Sequence, residues 1–370
     1  MTRRGIAGAK RIVLKIGSSS LTRPDGGLDL NRIDTVARLA ARWRRGDSDH
    51  QIVIVSSGAV AAGLDPLGLS ARPRDLASVQ AAAAMGQGLL MAQWTAAFHS
   101  HHLSAAQVLL TTADVMRREH YTNVRAALDK LLSFGTVPII NENDAVTTRE
   151  VRFGDNDRLA AYIAQMVQAD ALVLLTDVDG LYTAPPSHPG AELIEKVSST
   201  DDLMSVLVTG TGSKVGSGGM VTKVQAATMA AGSGIGVVLT SADRVADVLE
   251  MRDAGTWFEP SDTRPASRRL WIAHAATSRG EIVVDEGAAA AITNGKKSLL
   301  AAGAVQVLGH FSAGDVVDVV SQTRLIARGI CAYDSEVCSQ MAGSCADELK
   351  RLGWENPRPL IHRDDLAPLE

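Results

Sequence analysis

RIVLKIGSSS, residues 11–20, is an apolar run broken by one lysine and closed by Gly17 and three serines. A short continuous apolar run that stops at a turn signal reads as a strand covered on both faces. Lys15 then sits among apolar neighbours at the strand's end, where a buried charge needs a partner. A phosphate would supply one; a lysine reaching off the strand end to water is the plainer alternative.

Similar runs recur at Gln51–Ser56, Ala105–Leu110, Val137–Ile140, Ala171–Leu175 and Val237–Thr240. Between them lie helical patterns at Leu30–Arg45, Asp75–Phe98, Asp114–Leu132, Asn156–Gln168, Gly219–Ala231 and Asp243–Met251. This alternation predicts an α/β fold, an open, mostly parallel sheet sandwiched by helices. Ligands of such sheets gather beyond the carboxyl ends of the strands. Polar motifs fall there: Ser56-Ser57-Gly58 after the second run, Asn141 after the fourth and Thr176-Asp177 after the fifth.

The pattern changes after Phe258, where Glu259–Pro265 reads as a proline-punctuated linker. Beyond it, Glu281–Val284, Ala304–Gly309, Val316–Val320 and Leu325–Ala332 predict short strands. Helices are expected at Ala288–Asn294, Lys297–Ala301 and Ser335–Lys350. The expected domains are 1–262 and 278–368, in line with a 370-residue chain exceeding one core. The net charge of -4 offers no global basic field for nucleic acid.

Cys331, Cys338 and Cys345 suggest reduced thiols and a cytoplasmic setting. Their spacing suits small core residues better than zinc ligands. The first ten residues are basic but lead into no charge-free apolar core of signal-peptide type. Leu76–Ala113 carries no Asp, Glu, Lys or Arg, yet it is built on Ala, Gly and Gln. Residues 78–98 therefore read as a helix buried in the protein or at a contact between copies, not as a membrane span.

Gly216-Ser217-Gly218-Gly219 places backbone N–H groups before a helix start, whose dipole favours anions, and Lys223 follows one turn later. A glycine loop that merely caps the helix fits the same residues. Asn141-Glu142-Asn143-Asp144 and Asp155-Asn156-Asp157 crowd acids and amides together. They suit an amino acid, whose ammonium wants acceptors and whose carboxylate wants donors, and they also suit turns and helix caps. Thr176-Asp177 could hold a nucleotide's base or ribose or form a surface turn. Together these segments point to small-molecule phosphoryl transfer.

Several motifs in order then carry a resemblance: Lys-x-Gly-Ser-Ser, Val55–Gly63, Ile140–Val146, Phe153–Asp157, Leu175–Tyr182 and Gly-Ser-Gly-Gly-Met-x-Thr-Lys. They resemble the glutamate-phosphorylating branch of the amino acid kinase family. Val284–Ala288 and His362–Asp365 resemble the PUA domain found at the C-terminus of many bacterial members. The resemblance implies the amino acid kinase fold plus a small PUA-like β-barrel module. It also implies ATP-dependent phosphorylation of the L-glutamate side-chain carboxylate, the first step of proline biosynthesis, with Mg²⁺ held mainly by ATP and proline as inhibitor.

By the same resemblance, Lys15 and Lys223 neutralise the moving phosphoryl group and Asp157 holds both lysines. Ser57, Asp144 and Asn156 bind glutamate, with Asn141 and Asp155 shaping the pocket. Lys15, Gly17, Ser18, Thr176, Asp177, Ser217, Gly218, Gly219, Met220, Val221, Thr222 and Lys223 bind ATP. Family members often carry threonine at the positions of Ser18 and Ser217; the hydroxyl is kept. A homo-oligomer is expected. The alternatives are a family member acting on a different acid, or an RNA-binding or regulatory protein acting through the PUA-like domain. From Arg279 onward, thirteen acids against nine Lys and Arg argue against RNA.

Overall fold

The opening run forms β1 (Arg11–Ile16), buried from Ile12 to Ile16. The computed structural model describes residues 6, 8–23, 26–147, 156–198, 203, 219–250, 252–262, 269, 271–294, 297–354 and 357–369. By contact the chain divides into two compact units, 1–115 with 119–264, and 116–118 with 265–370.

In the first unit the strands after β1 are β2 (Gln51–Ser56), β3 (Ala105–Leu110), β4 (Val137–Glu142), β5 (Ala171–Thr176), β6 (Leu181–Tyr182), β7 (Leu193–Ile194), β8 (Lys196–Val197), β9 (Gly236–Ser241) and β10 (Thr256–Phe258). Among the described residues, eight of them make one sheet in the order β3-β4-β2-β1-β5-β9-β10-β8. The ladders from β3 to β9 are parallel, and β10 runs antiparallel to β9. The parallel sheet expected from the alternating pattern is therefore present, with a short mixed edge.

Strands β8 and β10, at this end of the sheet, are too short to stand out in the sequence. Tertiary packing fixes β10: a β-carbon on Gly236 would come within 2.3 Å of the Trp257 ring, so the indole lies directly on the glycine of the neighbouring strand.

The helices are α1 (Ser18–Leu21), α2 (Leu30–Arg45), α3 (Ala59–Leu64), α4 (Leu76–Ser100), α5 (Thr112–Met116), α6 (Arg118–Ser133), α7 (Asn156–Met166), α8 (Gly219–Gly232) and α9 (Val245–Leu249). Asp29 caps α2 by accepting from Arg32 N at 3.0 Å, and Asp75 caps α4 by accepting from Ser78 N at 2.8 Å. One expected helix, Asp114–Leu132, is split into α5 and α6 at Arg117.

The charge-poor stretch forms α4, and its buried residues include Val79, Ala82, Gly86, Leu90, Trp94 and Phe98. Leu90, Trp94 and Phe98 join the core under the sheet, with Leu14, Ile54 and Val173. Gly63 of α3 and Gly86 of α4 face each other. A β-carbon on Gly86 would sit 1.9 Å from the Ala59 carbonyl oxygen and 2.4 Å from Gly63 N. The small residues thus serve a backbone-to-backbone helix crossing. No described helix is long and apolar enough to cross a membrane.

The second unit has β11 (Gly280–Val284), β12 (Ala304–Gly309), β13 (Val316–Ser321), β14 (Arg324–Ile330) and β15 (Leu366–Pro368) in the order β12-β11-β13-β14-β15. Among the described residues of this unit, only the β11–β13 ladder is parallel. Its helices are α10 (Glu286–Thr293), α11 (Ser335–Met341) and α12 (Ala346–Arg351).

Two helix expectations fail here. At 297–301, Leu299 exchanges backbone hydrogen bonds with Ile361 at 2.9 and 3.3 Å, so pairing with a distant segment overrides local preference. The single helix expected at Ser335–Lys350 breaks at Gly343, whose φ of 77° is left-handed. Cys345 and Glu348 then restart it with a capping box. Cys331 and Cys338 are buried core residues with sulfurs 3.3 Å apart, and Cys345 is exposed.

Candidate active site

β1 lies between β2 and β5, and register sets Ile16 level with Ser56 on one side and Leu175 on the other. The Ser57 N–H donates to the Ile16 carbonyl at 3.1 Å, tying the turn after β2 to the end of β1. Gly58 follows with φ 106°, a backbone that side chains rarely adopt, and it starts α3.

Lys15 is 2% exposed and Asp157 is fully buried. The Lys15 ammonium pairs with Asp157 Oδ1, while Oδ2 lies 2.9 Å from Lys223 Nζ. Lys223 also donates to the Gly219 carbonyl at 3.2 Å. Three elements converge: Lys15 from the central strand, Asp157 from the first turn of α7 and Lys223 from α8. Two ammonium groups share this carboxylate in a poorly solvated place, where charges act on one another and on a bound anion strongly. A β-carbon on Gly17 would lie 3.7 Å from Lys15 Nζ, an ordinary contact, so this glycine borders the ammonium directly.

Beside this cluster, on the β2 and β4 side, is a cavity of about 500 Å³. Ser18, Ser57, Asn141, Asp144 and Asn156 line it, so the structure brings these five predicted residues together. The Asn156 amide reaches Ser56 O at 3.1 Å, Ser57 Oγ at 3.0 Å and Asn141 Oδ1 at 2.9 Å. Asn141 donates to Gln87 Oε1 at 2.7 Å, and Trp94 Nε1 donates to Ser56 Oγ at 2.9 Å. The wall is therefore held from behind by α4. Ser18, expected on the nucleotide side, shares this cavity.

Thr176 and Asp177 stand on the other flank, at the end of β5, and the Thr176 hydroxyl donates to Asp177 Oδ1 at 2.7 Å. Nearby, Tyr182 donates to Asp179 at 2.7 Å, and that bond holds its phenol above the usual range. Gly219, Met220, Val221 and Thr222 form the first turn of α8, where Thr222 Oγ1 donates to the Gly219 carbonyl at 3.1 Å. Asp155, Ser217 and Gly218 lie outside the described residues.

Sequence reasoning quoted Glu142 and Ser19 within their motifs without giving them a role, and it did not single out Arg72 or Thr22, which also line the cavity, nor Gln87 behind it. A signal for Gln87 existed: it is a polar residue inside a charge-free helix, on the same stretch as buried Gly86 and Leu90. Arg72 carries no such signal, being one basic residue in a loop.

Residues 10–241 match the amino acid kinase family and residues 280–353 match the PUA domain. A glutamate 5-kinase of Streptomyces avermitilis is 50% identical over 371 residues, covering 100% of this chain and 99% of that protein. One from Bifidobacterium longum is 52% identical over 99% of this chain and 97% of its own length. Another from Salinispora arenicola is 51% identical over 98% and 99%. With the parallel sheet, the motifs at its strand ends and relatives aligned along nearly the whole length, the chain belongs to the amino acid kinase family and carries a PUA domain later in the sequence.

Proposed function

We infer that this enzyme transfers the γ-phosphoryl group of ATP to the side-chain carboxylate of L-glutamate, giving L-glutamyl 5-phosphate and ADP, the step that opens proline synthesis. The observation that carries the reading is the Lys15–Asp157–Lys223 cluster beside a cavity lined by Asp144, Asn141 and Asn156. A carboxylate oxygen attacks phosphorus as the bond to the β-phosphate oxygen breaks. The acceptor is already ionised at neutral pH, so no general base is required, and positioning and charge neutralisation can carry catalysis.

In this reading Lys15 and Lys223 meet the negative charge of the transferring group, and Asp157 fixes both ammonium groups. Ser57, Asp144 and Asn156 hold glutamate, with Asn141 and Asp155 shaping its pocket. Thr176, Asp177 and the residues 217–223 hold ATP, with Gly17 and Ser18 beside the phosphates. Both Asp157 oxygens are committed to lysines, which leaves Mg²⁺ to the ATP phosphates and water, an arrangement this ion often adopts.

Resemblance to the glutamate 5-kinases supports proline as inhibitor and the cytoplasm as the setting. Met85 and Leu89, exposed on α4, support a homo-oligomer. The decisive assay is ADP release with glutamate, accompanied by hydroxylamine trapping of the acyl phosphate. Absence of both products overturns the reading.

Asp144→Ala and Asn156→Ala are expected to raise the glutamate KM by roughly tenfold or more while the ATP KM stays nearly constant, because each removes a polar group on the cavity wall. Initial rates against each substrate check this. A collapse of ATP affinity alone would mean that the two subsites are exchanged.

Catalysis is placed in residues 1–262, with 278–368 as an appended PUA-like domain. A chain stopped after residue 262 is expected to stay folded and to phosphorylate glutamate, since the core around β1 is built from residues before Phe258. Proline response or oligomer size shifts instead. Circular dichroism and the trapping assay test this, and a folded but inactive fragment would contradict it.

A further inference from the structure

We propose that Arg72 binds the α-carboxylate of the acceptor and makes the cavity selective for an amino acid that carries two carboxylates. The inference rests on the glutamate reading above and names the part of the substrate for which that reading assigns no positive charge.

Three charged side chains among the described residues line the cavity: Arg72, Glu142 and Asp144. Glutamate brings three charged groups to it. The reacting carboxylate must face Lys15 and Lys223, because only there can it meet the phosphoryl group. The ammonium is matched by the acids, Asp144 and Glu142. The α-carboxylate remains, and the hydroxyls of Ser18, Ser57 and Thr22 on the wall are neutral donors. Arg72 supplies the missing positive charge.

Arg72 is also unoccupied by other work. It lies on the segment between α3 and α4, is exposed, and makes no hydrogen bond or ion pair with any described residue. Among the described residues, the two cations of the adjoining cluster are engaged: Lys15 and Lys223 are both held by Asp157. A guanidinium presents paired donors that match the two oxygens of a carboxylate, which an ammonium does less specifically. Pro73 follows Arg72 and disfavours helical backbone there, so the residue is biased toward an extended conformation before substrate arrives. Glu142 is 6% exposed and Arg72 is at the surface, so the two ends of the cavity differ in sign and in depth. The amino acid would enter with its ammonium inward and its α-carboxylate toward the rim.

The test compares glutamate with 4-aminobutyrate, which is glutamate without its α-carboxylate but keeps the ammonium and the reacting carboxylate. ADP release is followed for the full-length wild type, Arg72→Leu and Arg72→Lys, with circular dichroism as a check on folding. The wild type is expected to prefer glutamate. In Arg72→Leu the glutamate KM rises about 10- to 100-fold, as loss of a hydrogen bond between charged groups implies. Its kcat and ATP KM stay close to wild type, and its kcat/KM for 4-aminobutyrate does not change. Arg72→Lys recovers part of the loss for glutamate. Equal losses on both substrates, an unchanged glutamate KM, or a wild type indifferent to the α-carboxylate overturns the proposal. A wild type that leaves glutamate unphosphorylated removes the glutamate reading itself, a result distinct from any of these.

Discussion

Replacing Lys15 by alanine lowers turnover about 100- to 1000-fold, the range found when one preorganised donor to a developing negative charge is removed. The ATP KM moves far less, because in the proposed reading the nucleotide keeps its contacts on the β5 flank and on α8. Lys223→Ala behaves in the same way for the same reason. The two variants differ in stability. Lys15 is 2% exposed and Lys223 is 13% exposed on its side chain, so the first substitution leaves the deeper vacancy beside a buried carboxylate. Asp157 keeps one lysine in either variant, which limits the penalty that full loss of a buried partner would bring. Thermal unfolding run beside steady-state kinetics separates the two effects. Near-normal turnover in both variants would remove the lysines from the mechanism.

Gly86→Ala is expected to destabilise the first unit by about 3 kcal/mol, at the upper end of overpacking costs. The new methyl would meet the Ala59 carbonyl oxygen at 1.9 Å and Gly63 N at 2.4 Å, and both are backbone atoms that cannot swing aside. The helix α3 has to move off α4. Ala59 directly follows Ser57 and Gly58 on the cavity wall, so the glutamate KM rises as well. Gly88→Ala, two residues along the same helix, is the control. Its β-carbon would have no atom within 4 Å, and helix propensity alone predicts a gain of about 1 kcal/mol. Melting temperatures that move in opposite directions for the two variants are the expected outcome. If both rise, the tight crossing does not exist.

The central strands of the sheet were readable because parallel strands buried on both faces are continuous apolar runs, and β1 and β2 begin and end where those runs do. The position of the site was readable too, since Lys15, Ser57, Asn141 and Thr176 all stand where such runs stop. Pairings across distance were not. Nothing in local pattern tells that Asp157 touches lysines 142 residues before it and 66 residues after it; the resemblance suggested this and the geometry is compatible with it. The loop that carries Arg72 was opaque for a different reason. Its residues take meaning only from the cavity they border, and no periodicity marks a border. Leu299 shows the same limit in the second unit, where a partner at Ile361 decides the backbone.

Asn156 and Asp157 are neighbours on the first turn of α7, yet they look into different compartments. Asn156 reaches Ser57 and Asn141 on the cavity wall, whereas Asp157 grips the two lysines. In the proposed reading, one turn of helix is thus a shared partition between the acceptor cavity and the transfer cluster. Anyone redesigning the enzyme for another acid inherits this constraint. Changes on that turn will disturb the transfer machinery together with acceptor choice, so the two traits cannot be tuned separately there. Among the described residues, the segment from Gly58 to Arg72 lines the cavity without contributing to the lysine cluster, so in the proposed reading a new specificity is better sought there.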